Sequence, residues 1–81
     1  MNQSEIIAQL QPLFDDIFLD QVVLTPSLSA KDVQEWDSLL QISILVAVEA
    51  HFKIRFRVGE VEATHNVGEF ADLILKRIQE G

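Results

Sequence analysis

The sequence predicts an all-α fold, a small up-and-down helical bundle with one long first connection. Two segments place their apolar residues at helical spacing, and a third is apolar almost throughout, with neither glycine nor proline. At 81 residues the chain has room for one thin hydrophobic core. We therefore expect residues 1–81 to form a single domain.

The first helix is indicated by apolar residues that recur on one helix face: Ile6, Leu10, Leu13, Phe14 and Ile17. This pattern predicts a helix over about residues 4–18, with Ser4 as its N-cap. Pro12 lies inside that span. It should kink the helix or shift its start, because proline lacks an N–H and its ring clashes with the preceding turn.

A long connection follows, from about residue 19 to residue 36, in which helical spacing is lost and Thr25-Pro26-Ser27 indicates a turn. Connections of this length are uncommon in a small domain unless they are functional or packed by their own side chains. We expect Leu24, Leu28 and Trp36 to pin this connection across the helices.

The second helix, Ser38 to Phe52, is apolar on almost every side. Such a helix is normally central in a large core or covered by a partner, and a chain of this size has no large core. Leu39, Ile42 and Val46 follow one stripe of this helix at i, i+3 and i+7. We therefore expect some of these three side chains to be exposed and available to a partner.

The segment Lys53 to Val58 alternates basic and apolar residues, as an edge strand does. Because no clear partner strand exists, we interpret it as an extended connector that inserts Ile54 or Phe56 into the core. A short turn of helix is then expected around residues 59–63.

The last helix is marked by Asn66 and Glu69, which are spaced as a capping box. Helical spacing of apolar residues then continues through Val67, Phe70, Ala71, Ile74 and Ile78.

Charge is distributed unevenly along the chain. Thirteen acidic residues against six basic ones give a net charge of −7, and all of this excess lies in residues 1–49. The acidic surface argues against binding to nucleic acid or anionic membrane; it either steers basic partners or serves solubility. The longest apolar run has five residues, so we expect no membrane insertion, and with no secretory signal visible we expect a cytoplasmic protein.

Enzymatic chemistry has little support in the sequence. His51 and His65 are the only histidines, no cysteine is present, and the three glycines form no phosphate-binding loop. A hydrolase triad could use Ser38 in principle, but no glycine-flanked nucleophile turn surrounds it. We expect neither an enzyme nor a metal site.

Ser38 itself, in Trp36-Asp37-Ser38-Leu39, has two interpretations. Its hydroxyl could be the N-cap of the second helix, accepting a hydrogen bond from the first-turn amides. Alternatively it is a modification site, where an attached phosphate would lie at the positive end of the helix dipole. Composition alone favours the cap.

From Leu28 to Ile78 the sequence resembles the acyl carrier protein family. The resemblance rests on Asp37-Ser38-Leu39, on the apolar helix that ends in Glu49-Ala50-His51-Phe52-Lys53-Ile54, and on the final amphipathic helix. Trp36, with Phe14-Asp15-Asp16-Ile17-Phe18 upstream, looks like stand-alone carriers rather than a carrier cut from a megasynthase.

The resemblance implies a four-helix bundle whose short third helix matches residues 59–63. It also implies that a magnesium-dependent phosphopantetheinyl transferase attaches 4′-phosphopantetheine from coenzyme A to Ser38. The terminal thiol of this arm holds acyl or aminoacyl groups as thioesters, so a chain without cysteine acquires a thiol. Partner enzymes that load and accept the cargo should dock on a monomer, against a face formed by Asp37, Leu39, Ile42, Val46 and Glu49.

Departures from the family pattern bear on the pathway. Fatty-acid carriers usually have an acid five residues after the modified serine, where this chain has Ser43, and the connector is unusually basic at Lys53, Arg55 and Arg57. We therefore expect a carrier of a specialised biosynthetic pathway, with a peptidyl or aminoacyl carrier as a variant. The alternative from another class is an unmodified helical module that uses Leu39, Ile42 and Val46 to bind a partner.

Overall fold

The computed structural model describes residues 1–57 and 59–80. Val58, at the end of the predicted connector, and Gly81 lie outside the described residues. The described part contains three α-helices: α1 (Gln3–Ile17), α2 (Ser38–Phe52) and α3 (Val67–Glu80). A 3-10 helix, Ala30–Asp32, lies between α1 and α2, and these residues form no strand. The predicted all-α fold is confirmed.

The predicted short third helix is not confirmed, and with it the four-helix count. Residues 59–63 form consecutive turns. Among the described residues, two backbone bonds close them, from Glu60 N–H to the Arg57 carbonyl (3.2 Å) and from Thr64 N–H to the Val61 carbonyl (3.0 Å). Each bond spans three residues, and residues 59–63 form turns rather than a helix.

α1 begins one residue before the predicted span of about residues 4–18, and its cap lies two residues before the predicted one. Asn2, rather than Ser4, is the N-cap: its side chain accepts from the Glu5 N–H at 2.9 Å, and the Glu5 carboxylate accepts from the Asn2 N–H at 3.1 Å. This reciprocal capping box satisfies two otherwise unpaired donors. The helix also continues unbroken through Pro12, whose exposed position leaves the freed carbonyl of the preceding turn close to solvent.

α1 is the central element of the core, because it packs against both α2 and α3. The buried apolar residues come from all three helices and from both connections: Ile6, Leu10, Phe14, Phe18, Val22, Leu24, Ile44, Val48, Ile54, Val61, Val67, Phe70, Ala71 and Ile74. In the α2–α3 connection, Ile54 is buried and Phe56 is half-buried, with its ring 5.8 Å from that of Phe70. Insertion of this connector into the core is thus confirmed.

The α1–α2 loop, residues 18–37, is held by aromatic packing at its far end. The Trp36 ring meets the Phe14 and Phe18 rings edge-on, at centroid distances of 5.3 and 5.8 Å. Leu24 is buried and Leu28 is half-buried. The three predicted contacts that pin the loop are therefore confirmed.

Hydrogen bonds fix the same loop to α1 and α3. The Gln11 side chain donates to the Val22 carbonyl (2.7 Å) and accepts from the Leu24 N–H (3.0 Å). The Pro26 carbonyl accepts from the Gly68 N–H (2.9 Å) at the start of α3. A second loop carbonyl, that of Leu28, accepts from the neighbouring N–H of α3 at 2.8 Å. The loop thereby caps α3 and delivers its last residues to the start of α2 in a fixed position.

Candidate functional site

The start of α2 is capped by Asp37. Its Oδ1 accepts the Leu40 N–H at 2.9 Å, and its backbone is extended, as an N-cap requires. Ser38 is therefore the first helical residue and not the cap. The structural explanation that composition favoured for Ser38 is wrong, because the carboxylate one position earlier already accepts this hydrogen bond.

The Ser38 side chain is exposed, and its hydroxyl makes no hydrogen bond within residues 1–57 and 59–80. It lies in the first turn of α2, where helical N–H groups lack intrahelical partners. The positive end of the helix dipole at this point stabilises a nearby anion. The hydroxyl is accessible to a visiting enzyme, and a phosphate attached to it would lie in a favourable field.

A cleft of about 660 Å³ opens beside Ser38. Its walls come from the α1–α2 loop, from α2, from the α2–α3 connection and from the start of α3. Its apolar lining includes Trp36, Ile42, Leu45, Val61, Val67 and Phe70. A chain attached to the hydroxyl could therefore leave solvent through an entrance next to its own attachment point.

Polar side chains line the entrance of this cleft. Trp36 Nε1–H donates to Gln41 Oε1 at 2.7 Å, which joins the end of the loop to the first turns of α2. On the opposite wall, the Asn66 side chain accepts from the Glu69 N–H at 2.8 Å. This is half of the predicted capping box, since the Glu69 carboxylate accepts from the His65 N–H instead (2.9 Å). That backbone hydrogen bond, with one from the His65 ring, lowers the pKa of Glu69.

Comparison with known proteins identifies the family. No family model and no curated protein matches the chain. The chain is similar to the solution NMR structure of a holo acyl carrier protein from Geobacter metallireducens, with 39% sequence identity and a TM-score of 0.84. The match covers 93% of this chain and 87% of that one. The chain belongs to the acyl carrier protein family. Acyl carrier proteins are non-catalytic carriers, so this protein is not an enzyme, as the sequence predicted.

The exposed face of α2 carries the apolar residues that the sequence analysis predicted for partner docking. Leu39, Ile42 and Val46 are 75%, 59% and 61% exposed, so all three members of the predicted stripe point to solvent. We call these three residues the apolar stripe. The sequence interpretation that α2 has more apolar surface than the core can bury is confirmed.

The two acidic residues predicted for the same face have structural contacts. Asp37 is the cap of α2, and half-buried Glu49 accepts the Phe56 N–H at 2.9 Å. Glu49 thereby holds the α2–α3 connection against the end of α2. Among the described residues, Asp37 and Glu49 therefore have side-chain hydrogen bonds to the backbone. The other three predicted docking residues, those of the apolar stripe, are exposed apolar side chains.

The turns that form one wall of the cleft are tied to α3 by Arg77. Its guanidinium is only 9% exposed, donates to Glu80 (2.8 Å) and forms an ion pair with Glu60. The hydrogen bond from Arg77 lowers the pKa of Glu60, and the bond to Glu60 raises the pKa of Arg77. Local sequence patterns do not reveal this pair, since its partners lie 17 residues apart on different elements.

The histidines do not contribute to a catalytic cluster. His51 Nε2 lies 3.0 Å from Gln9 Oε1, and the His65 ring contacts Glu69. Within residues 1–57 and 59–80, no group of three or more His, Asp or Glu side chains could hold a metal ion. None of the helices in this part of the chain is long and apolar enough to cross a membrane.

Proposed function

We propose that this protein is an acyl carrier protein whose Ser38 holds a 4′-phosphopantetheine arm. The observation that carries the proposal is that Asp37, and not the neighbouring Ser38, caps α2. Asp37 caps α2, and the Ser38 hydroxyl remains exposed without a hydrogen bond among the described residues, at the entrance of an apolar cleft. The structural neighbour is itself a holo acyl carrier protein, which supports transfer of this role.

The attachment step is the transfer of a phosphopantetheinyl group from coenzyme A to the Ser38 hydroxyl. The Ser38 oxygen attacks the pantetheine-linked phosphorus of coenzyme A, and the bond from that phosphorus to adenosine 3′,5′-bisphosphate breaks. A phosphodiester to Ser38 forms, and the hydroxyl proton passes to a base of the phosphopantetheinyl transferase. The transferase supplies Mg²⁺ and the catalytic groups, and this chain supplies the hydroxyl and the docking surface.

The residues present fit the attached group. The N–H groups in the first turn of α2 favour the negative charge of the phosphodiester. When bound, the arm supplies a terminal thiol, which the cysteine-free chain lacks, for holding acyl groups as thioesters. The adjacent cleft, with Leu45, Val61 and Phe70 in its lining, can exclude water from an apolar cargo.

We propose that Leu39, Ile42 and Val46 contact the transferase and the enzymes that load and accept cargo. Their exposure supports this role, because an apolar stripe of this kind marks an interaction surface. We also propose that the carrier works in the cytoplasm, in line with the expectation from its sequence.

The pathway we propose is a specialised one rather than general fatty-acid synthesis. Ser43 occupies the exposed position of α2 where the fatty-acid carriers have an acid, and Glu49 is engaged with the backbone of the α2–α3 connection. The docking face of α2 is therefore less acidic and more apolar than in those carriers, which favours partners with a more apolar and less basic patch.

Incubation with coenzyme A, Mg²⁺ and a broad-specificity phosphopantetheinyl transferase tests this function by intact mass. Wild-type protein should gain the mass of phosphopantetheine, and Ser38→Ala should gain nothing. The matched control is Ser43→Ala, an exposed serine of the same helix, which should be modified like wild type. Absence of any mass gain with several active transferases would contradict the proposal and favour an unmodified interaction module.

A further inference from the structure

Some of the side-chain donors that line the cleft already form hydrogen bonds within the protein, and others do not. Thr64 Oγ1–H donates to the Val61 carbonyl at 2.6 Å, and Ser29 Oγ–H donates to the Asp32 carboxylate at 3.1 Å. These hydroxyl protons are engaged inside the protein. The two half-buried carboxamides of the lining, Gln41 and Asn66, are different.

The orientation of each carboxamide is fixed by a partner that can only donate. Gln41 Oε1 accepts from the Trp36 indole N–H, and an indole nitrogen has no acceptor capacity. Asn66 Oδ1 accepts from the Glu69 backbone N–H, which also can only donate. In both side chains the oxygen must therefore face its partner, and the NH₂ group must be the free end.

Neither NH₂ group has a hydrogen-bond partner within residues 1–57 and 59–80, and neither is sealed away from solvent. Gln41 lies one helical turn from Ser38 on α2, and Asn66 lies at the start of α3 on the other wall. The cleft therefore presents two unused hydrogen-bond donors in an otherwise largely apolar lining. A saturated hydrocarbon would bury these donors unsatisfied, at a cost in free energy.

We propose that Gln41 Nε2 and Asn66 Nδ2 are donors to carbonyl oxygens of the group attached to Ser38, so that the cleft favours oxygen-bearing cargo over a saturated chain of equal length. This inference rests on the proposed function of Ser38 and specifies the chemistry of what enters the cleft. Two sources carry such oxygens: the amide carbonyls of the arm itself, and a ketone near the thioester of a 3-oxoacyl cargo.

The test uses ¹⁵N-labelled protein loaded by the transferase with three groups: phosphopantetheine alone, a saturated acyl chain, and a 3-oxoacyl chain of the same length. Intact mass first verifies each loading, and the side-chain NH₂ resonances of Gln41 and Asn66 are then compared with those of the unloaded protein. A shift already present with the arm alone assigns the bonds to the arm amides; it supports the donor role of the two carboxamides and overturns the cargo preference. A shift that appears only with the 3-oxoacyl chain assigns the bonds to the cargo and supports both parts of the inference.

Two nearly isosteric variants remove the donors while keeping the structural acceptors. Gln41→Glu still accepts from Trp36, and Asn66→Asp still accepts from the Glu69 N–H. Each should reduce the protection of a 3-oxoacyl thioester against hydroxylamine, relative to the saturated thioester, by roughly twofold to tenfold, the range for one hydrogen bond. Ser43→Glu adds the same charge to α2 outside the cleft and should leave this ratio unchanged.

The inference about Gln41 and Asn66 can be wrong while the proposed function of Ser38 is right, and the measurements distinguish the two cases. If mass shows that Ser38 is loaded but neither NH₂ resonance responds to any of the three groups, the inference about the carboxamides is wrong and the carrier function stands. An unchanged thioester protection ratio in both Gln41→Glu and Asn66→Asp would also overturn it. If no group can be attached to Ser38, the proposed function fails and the inference fails with it.

Discussion

Asp37 accepts the first-turn N–H of α2 at 2.9 Å, and the adjacent Ser38 hydroxyl is left exposed with no hydrogen bond among the described residues. The cap of α2 and the proposed attachment site are thus different residues. A serine that capped its own helix would lose that bond on modification. Here the cap can remain intact when a group is attached to the neighbouring oxygen.

This separation predicts that two neighbouring alanine substitutions differ in their effect on stability. Asp37→Ala removes the cap and should lower the free energy of unfolding by about 1 kcal/mol. Ser38→Ala should change it by less than about 0.5 kcal/mol, as expected for an exposed side chain without contacts. Urea unfolding of both variants measures the two values. A larger loss in Ser38→Ala than in Asp37→Ala would restore the capping interpretation of Ser38.

Gly68 should be intolerant of a side chain. A Cβ at this position would lie 2.9 Å from the Pro26 carbonyl oxygen and 3.2 Å from Gln3 Nε2. Although alanine favours a helix, Gly68→Ala should push the α1–α2 loop from the start of α3 and lower the free energy of unfolding by about 1–3 kcal/mol.

The control for this substitution is Gln79→Ala, at an exposed position of the same helix, which should stay within about 0.5 kcal/mol of wild type. Equal or greater stability of Gly68→Ala would show that the loop can move away without cost.

The Glu60–Arg77 ion pair predicts a pH dependence. Because the pKa of Glu60 is lowered in the folded protein, mainly by the hydrogen bond from Arg77, the pair stabilises the fold at pH above the ordinary glutamate value of 4.5. That contribution is lost as the pH falls through the lower folded pKa. Glu60→Gln should therefore lower the melting temperature near neutral pH, and its difference from wild type should shrink in acid.

Glu62→Gln is the matched control, since Glu62 is exposed and makes no hydrogen bond within the described residues. Thermal unfolding across pH should show little difference between this variant and wild type. A Glu60→Gln deficit that grows toward low pH would contradict the assigned direction.

The acidic surface predicts stabilisation by salt. Among the acids of residues 1–49, the described structure pairs only Glu5 with a cation, the N-terminal amine at 4.0 Å. Several others, including Asp32, Glu35 and Glu49, accept backbone N–H groups instead. Their charges repel one another, so added salt should raise the melting temperature.

The double variant Asp16→Asn/Asp20→Asn removes two exposed charges and should flatten this salt dependence. A wild-type melting temperature that falls with salt would show that attraction, not repulsion, dominates the surface.

The apolar stripe predicts a kinetic effect without a stability effect. Ile42→Gln/Val46→Gln should lower the kcat/KM of phosphopantetheine transfer by about tenfold or more, as expected when residues central to an interface are lost. Leu19→Gln is the matched control, because Leu19 is 95% exposed and lies outside α2. Equal rates for the two variants would place docking elsewhere.

Sequence patterns predicted those features that depend on local spacing. α2 runs over Ser38–Phe52 as expected, because it has no breaker and carries a cap at its start. The exposure of the apolar stripe followed from comparing apolar content with the size of the core. The cap position was missed at both α1 and α2, since neighbouring residues such as Asp37 and Ser38 are each good caps and local sequence does not choose between them.

Features that depend on long-range contacts could not be predicted. The turns at residues 59–63 are held by Arg77 from α3, and the start of α3 is held by the Pro26 carbonyl of the α1–α2 loop, which accepts from the Gly68 N–H. The resemblance to acyl carrier proteins suggested a helix at the former position. In this chain residues 59–63 form turns, with Val61 buried and Glu60 paired with Arg77.

The most direct test of the central claim is fragment mass spectrometry of the transferase-treated protein. We predict that the added phosphopantetheine maps to Ser38 alone, in the fragment that contains Asp37 and Leu39. Modification of Ser4, Ser27, Ser29 or Ser43 in its place, or no modification by any active transferase, would contradict the account.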